Sequence, residues 1–355
     1  MAQARHSRGA RATARSPMWS VLAAVTIALL VPLVHRRVLG TFFALDDLML
    51  FQQVRGLLPW PVTPWRFLSG VTWFRAVTPG FGTQPMPYHA ASLLLHASNA
   101  VLLLWLARRW GASAPAARLS AGLFAASRLH FTSLQAASSV GELLALSGTL
   151  GALLLVCPRP RPWLAAACFA AALLCKESVM LVPLAALTIP AMGEGVRQRT
   201  RELVPLLVVG GLLGVGLLAV GVFSGRLAGP AYAIRMGANV SDCTATLLGW
   251  SVDLVRAIPD QSLALGSFAR HAYPAIALAV TLVAFRHRGT PLVRAGVSWW
   301  WLGVLPVLPL VGHTYLHYLY TPLAGFAPAA GGLLDLSFGS RRAETAHDAK
   351  PGPAP

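Results

Sequence analysis

Carboxylates are scarce in this chain, with 12 Asp and Glu against 29 Lys and Arg, a formal net charge of +17. Lysine is scarcer still, present only as Lys176 and Lys350. Charged residues of both signs make up 12% of the sequence, about half the share of a soluble domain. With 55% apolar residues and a mean hydropathy of +0.60, that deficit excludes an ordinary water-soluble domain. The cysteines, Cys157, Cys168, Cys175 and Cys243, have neither the spacing of a disulfide framework nor that of a zinc site. A glycine fingerprint for dinucleotides, placed after a strand, is also missing.

The positive charge first suggests a nucleic-acid partner, but its placement argues against one. Arginines fall in short connectors between apolar runs: RRWGASAPAAR (108–118), PRPRP (158–162), GEGVRQRTRE (193–202), RHRGTPLVR (286–294) and the tail from RRAE (341). There they act as topology signals rather than a docking face. Since roughly 20 apolar residues cross a bilayer, spans are expected at 18–34, 89–107, 117–135, 141–157, 163–175, 178–192, 203–223, 272–285, 297–312 and 319–337. The N-terminal segment 1–17 carries Arg5, Arg8, Arg11 and Arg15 and no acid, so it stays in the cytoplasm. Alternation from there puts every arginine-rich connector on the cytoplasmic side. The chain thus reads as all-α and polytopic, with about ten transmembrane helices over 18–337 between cytoplasmic tails 1–17 and 338–355, the second disordered. Its Arg, Ala, Gly and Pro bias suggests a bacterial inner membrane.

Alternation leaves a long loop at 35–88, another at 224–271, the stretch HTYLHYLY (313–320) and the Lys176–Glu177 turn facing outward. Within 224–271, TLLGWSVDLVRAIPD (246–260) reads as an amphipathic helix in the membrane interface. Trp299, Trp300 and Trp301 read as an interfacial anchor. The polar residues that topology does not explain all fall on the outer side: Asp46 and Asp47 within FFALDDLMLF (42–51), Arg66, Tyr88–His89, His130, Lys176–Glu177 and His313 to Tyr320. Ionisable groups converging at one membrane edge point to a functional site. The plainer readings are a helix cap for the acid pair and interfacial anchoring for the His and Tyr side chains.

Several of these segments carry a resemblance. PYHAASLLLHASNAVLLLWLARR (87–109), with Tyr88, His89, His96 and Asn99, resembles the second span of multi-pass glycosyltransferases of the GT-C class. Within that class it is similar to the protein O-mannosyltransferase-like family whose longer members add tetratricopeptide repeats. FAASRLHFTSLQAASSVGELLA (124–145) resembles that family's third-span exit, LLCKESVMLVP (173–183) its Lys-Glu turn, and LHYLYTPLAGF (316–326) its Tyr-Leu-Tyr-x-Pro-x-x-Gly-Phe segment. The acid pair resembles the first-outer-loop carboxylate motif of the whole class.

The resemblance implies a GT-C-like fold with a long first outer loop. It also implies sugar transfer from a polyprenyl-phosphate carrier to a protein or glycan acceptor outside the membrane. Asp46 or Asp47, with Asp47 preferred, would accept the acceptor's proton. Arg66, His89, His130, Lys176, Glu177, His317 and Tyr318 would line the donor phosphate or sugar site. The partners so implied are the lipid-linked donor, the acceptor and the bilayer, with no nucleic acid, no cofactor and no metal. The match is incomplete. Ser127–Arg128 stand where the family has His-Pro, Thr132 replaces a glutamate, Val140 an arginine, and Leu316–His317 a Glu-Arg pair. No repeat domain follows the last span within the chain. These departures support a second reading, a relative that keeps the fold and serves as a binding or assembly partner. A transporter is disfavoured because the mid-span segments are mostly free of charge.

Overall fold

A computed structural model describes residues 17–60, 64, 66–157, 160–189, 196–223, 233–252, 267–286, 291–312 and 314–348. The described residues are helical throughout, with no strand beyond an isolated bridge between Ile234 and Leu310. Thirteen α-helices follow in order. They are α1 (Pro17–His35), α2 (Leu45–Val54), α3 (Trp73–Phe81), α4 (Pro85–Arg109), α5 (Ala114–Ala126), α6 (Phe131–Gln135) and α7 (Val140–Leu155). After these come α8 (Pro162–Cys175), α9 (Val196–Phe223), α10 (Ala238–Val252), α11 (Ser267–Arg286), α12 (Pro291–Val304) and α13 (Tyr320–Asp348).

Local sequence explains where several of these begin and end. Proline at the first or second position opens α4, α5 and α8, where its missing N–H costs nothing. The Ser113 hydroxyl accepts from Ala116 N–H at 3.2 Å at the start of α5, and Asp335 of α13 accepts from Ser113 N–H at 2.9 Å. At the end of α4, Arg109 donates to the carbonyls of Leu154 and Cys157, satisfying acceptors left open by the end of α7.

Among the described residues, four helical segments are long and apolar enough to cross a membrane: Ser20–Gly40, Pro85–Arg109, Ala137–Leu155 and Thr200–Val220. Pro162–Cys175, Glu177–Thr188 and His271–Arg286 are shorter apolar helices. Met18, Val21, Leu22, Val25, Leu29 and Leu33 of α1 form an exposed apolar stripe, and Val204, Val208, Leu212, Val215 and Leu218 of α9 form another. Water disfavours such surface, whereas lipid chains are a matching solvent.

Some expected spans take a different form. The one at 117–135 stops at Ala126, and Arg128–His130 and Phe131–Gln135 turn as separate short helices before α7. The segment at 178–192 is a 3₁₀ helix over Val182–Thr188, with Pro183 near its start. Helix α13 continues to Asp348, past the expected boundary at 337. Of the stretch expected as an interfacial helix, 246–252 forms the end of α10, which buries one face against the protein. Cys243, Leu247 and Trp250 form one buried stripe, and Trp300 donates its indole N–H to Ser251 at 3.0 Å. Its continuation, 253–260, lies outside the described residues.

In the tryptophan run, Trp299 and Trp300 are buried inside the protein and Trp301 is half-buried. Trp299 donates to Thr321 carbonyl at 3.0 Å and Trp301 to Thr281 hydroxyl at 2.8 Å. With the Trp300 bond, these tie α12 to α13, α10 and α11. Glycine makes the α12–α13 contact close, since a Cβ on Gly296 would lie 2.5 Å from Gly325 carbonyl. Small residues at such crossings let backbones approach.

Candidate functional site

The N-terminal end of the helix Ala137–Leu155 is where the predicted residues converge. Helix α2 supplies the acid pair. Asp47 and Phe51 fall on one stripe, four residues apart, and both are buried. Phe51 packs into an aromatic cluster with Phe43, Phe74 and Tyr88. Asp46, about 100° around the helix, is exposed.

Asp47 is fully buried, yet both its oxygens are occupied. Oδ2 accepts from Ala44 N–H at 2.8 Å and Ala137 N–H at 3.1 Å, and Oδ1 accepts from Ser138 N–H at 2.6 Å. The first bond closes the start of α2, half of a capping box. The other two place the carboxylate on the N-terminus of the helix leading into α7, where the helix dipole favours an anion. Asp47 is therefore a clamp between two helix starts.

Three residues after Ser138 along the same helix, Gly141 lets the chain come close. A Cβ there would lie 2.9 Å from Ser69 Oγ and from Cys175 carbonyl, and Ser69 donates to that carbonyl at 2.6 Å. Ser69 belongs to a π-helical turn, Phe67–Thr72, which starts at Arg66. Arg66 has φ of 52°, the left-handed region, and no other non-glycine described residue has positive φ. Strain and π-turns of this kind gather at functional sites.

Arg66 makes a two-pronged ion pair with Glu177, at 3.1 Å from Nε and 2.5 Å from the second terminal nitrogen. The side chains are 34% and 23% exposed. Burial opposes the charged carboxylate, but the Arg66 charge and hydrogen bonds, with Lys176 beside it, hold Glu177 down at about 2. Lys176 turns the other way, its Nζ 3.1 Å from Glu142 Oε1 in an ion pair off the hydrogen-bonding direction. Ser178 donates to Glu142 Oε2 at 3.0 Å. Glu142 is the functional-looking residue that sequence reading missed. Its signal was present: an acid in an apolar run, which requires a partner.

Of the remaining predicted residues, His89 lies within range of the Asp47 charge but bonds elsewhere, and the others form a separate group. His89 Nε2 is 3.2 Å from both the hydroxyl and the carbonyl of Thr41, which ties α4 to the chain after α1. His130 is fully buried between the rings of His96, Phe124 and Tyr320, with centroids 4.6–4.9 Å away. His317 and Tyr318 are half-buried, their rings 4.4 Å apart, in the short helix Leu316–Leu319 that packs against the His130 segment. His313 lies outside the described residues. The structure thus gathers Asp47, Arg66, Lys176 and Glu177 around one helix end, and His130 with His317 and Tyr318 into a neighbouring group. No cluster of three potential metal ligands forms among the described residues.

Chemically, the helix end offers an exposed carboxylate, Asp46, on a rigid mount. It also offers two cations, each already facing one carboxylate. The described protein partners leave Lys176 with donors to spare, since an ammonium has three. No protein-family model, curated protein or solved structure matches the chain.

Proposed function

We propose that this protein is a multi-pass membrane glycosyltransferase that uses a polyprenyl-phosphate-linked sugar. Its spans number about ten, both termini are cytoplasmic, the membrane is a bacterial inner membrane, and the acceptor is a protein or glycan on the outer side. The observation that carries this reading is the mounting of the acid pair. Asp47 clamps two helix starts, and Asp46 is left exposed beside it at the end of the bundle that holds Arg66 and Lys176. Asp47 is buried with both oxygens held by backbone N–H groups, so the proton-accepting role passes to Asp46, with Asp47 as the positioning residue. Strained backbone at Arg66 and its two-pronged pairing with Glu177 suit a group that binds the donor phosphate by exchanging that carboxylate.

A second reading has its own support. Arg66 and Lys176 are both neutralised by carboxylates, which favours a relative that binds a lipid-linked glycan without transferring it. The two are separated in lipid nanodiscs with a polyprenyl-phosphate hexose and peptide or glycan acceptors. Transfer by the native chain that falls at least about 100-fold in Asp46→Asn, the usual scale for losing a general base, supports the enzyme. Native-level transfer by Asp46→Asn overturns Asp46 as the base. Binding without any transfer selects the second reading.

A further inference from the structure

A buried polar cluster lies next to the acid-bearing helix end, and the charge network does not include it. His35 from α1, His96 from α4 and His130 from the turn after α5 meet there, with ring centroids 5.5 Å apart for the first pair and 4.7 Å for the second. Two of these rings have partners. His35 Nε2 lies 3.0 Å from Ala125 carbonyl. His96 Nδ1 lies 3.0 Å from Tyr320 hydroxyl, to which Asn99 also donates at 3.1 Å.

His130 does not. Both of its ring nitrogens are buried without a hydrogen bond, and the backbone of Phe124, which acts on the ring, falls short of the geometry of one. Ser133 Oγ, also fully buried, is unpartnered as well. Ser133 is three residues after His130, so the two fall on one side of the turn. An unmet buried polar atom costs about 1–3 kcal/mol, and native proteins leave few of them. Orphaned polar atoms on two residues that share a side of the turn call for a polar occupant there.

The occupant's charge can be argued from its walls. The rings around His130 are His96, Phe124 and Tyr320, and the nearby Arg128 is exposed. No described Lys or Arg pairs with this group, so a phosphate here would be an uncompensated buried charge. A neutral imidazole offers one donor and one acceptor on opposite ring edges, and a hydroxyl, itself both donor and acceptor, matches either edge together with Ser133.

We propose that His130 and Ser133 form a seat for an uncharged hydroxyl, either a sugar hydroxyl of the lipid-linked donor or an ordered water. The sugar source rests on the glycosyltransferase reading, but the seat does not. The test uses the full chain in nanodiscs with ¹⁵N-labelled histidine, the His130 signals being assigned by their loss in His130→Phe. Polyprenyl-phosphate hexose and polyprenyl phosphate without sugar are added separately. Movement of the His130 signals with the hexose only identifies a sugar hydroxyl. No movement with either, together with magnetisation transfer from water to the ring, identifies a bound water. Equal movement with both lipids, or neither movement nor water transfer, overturns the seat. As a second readout, the hexose-dependent rise in thermal midpoint, where one occurs, shrinks several-fold in His130→Phe. It survives in part in His130→Gln, which keeps a donor and an acceptor. An undiminished rise in His130→Phe also counts against the seat. Loss of transfer in Asp46→Asn leaves these signals unchanged, so the two readings fail separately.

Discussion

Neighbouring aspartates with the same chemistry are given opposite tasks by one step of helical rotation. Asp47 is turned inward, where a carboxylate is tolerable only if its oxygens are fully engaged, and three backbone N–H groups meet that need. Asp47→Ala removes the acceptor and strands those donors in a buried place. The expected loss is about 3 kcal/mol or more, at roughly 1–3 kcal/mol per orphaned donor, with some relief from water. Asp46→Ala touches no such network and should change stability by no more than about 0.5 kcal/mol. Thermal unfolding of the two variants in the same detergent checks the contrast, and equal losses would refute the clamp. The sequence shows that the pair exists and is unusual. It does not show which member faces inward, because that depends on Phe51 finding the aromatic cluster of Phe74 and Tyr88, a contact distant in sequence.

Between elements, the turn at Lys176–Glu177 divides its two charges between two different partners. Glu177 reaches back to Arg66 and the π-helical turn, while Lys176 reaches into α7 at Glu142. The first pairing makes attachment of the 66–72 segment depend on acid. Glu177 falls from a usual value of 4.5 to about 2 on folding. Its contribution is therefore complete above pH 4.5 and lost as the pH drops through 2. The thermal midpoint of the native chain should fall across that window more steeply than that of Glu177→Gln, and parallel curves would show that the pair adds nothing. The long apolar runs were the legible part of the fold: the segments expected at 18–34, 89–107 and 203–223 fall within α1, α4 and α9. The break after Ala126 was missed although Ser127 to Gln135 has only Leu129, Phe131 and Leu134 as apolar residues, because a bilayer-crossing length was expected of the span. The buried roles of Trp299 and Trp300 were hidden too. An indole looks the same in sequence whether it meets lipid headgroups or a hydroxyl on the next helix.

Across the whole molecule, the two ends of the bundle differ in chemistry. One end gathers Asp47, Arg66, Glu142, Lys176 and Glu177 into paired charges. The other holds the arginines at the end of α4 and the start of α8, with Arg108 and Arg109 turned onto backbone carbonyls. Helices α4 and α7 both start at the first end and finish at the second, as the contacts of Asp47 at one end and Arg109 at the other require. That polarity is what a membrane chain sorted by arginine-rich connectors should have. In a background without native cysteines, Gln52→Cys at the acid-bearing end and Arg161→Cys at the arginine end probe it directly, since both positions are exposed. A membrane-impermeant maleimide added to intact cells should label Gln52→Cys. It should reach Arg161→Cys only after the membrane is opened. Labelling of both from the same side would mean that the bundle does not separate its ends across a bilayer. The acid-bearing end would then have no claim to an acceptor outside the cell. The reverse pattern would put Asp46 in the cytoplasm, where soluble nucleotide sugars replace lipid-linked ones as the natural donor, and the described residues, all helical, form no nucleotide-binding sheet to receive them.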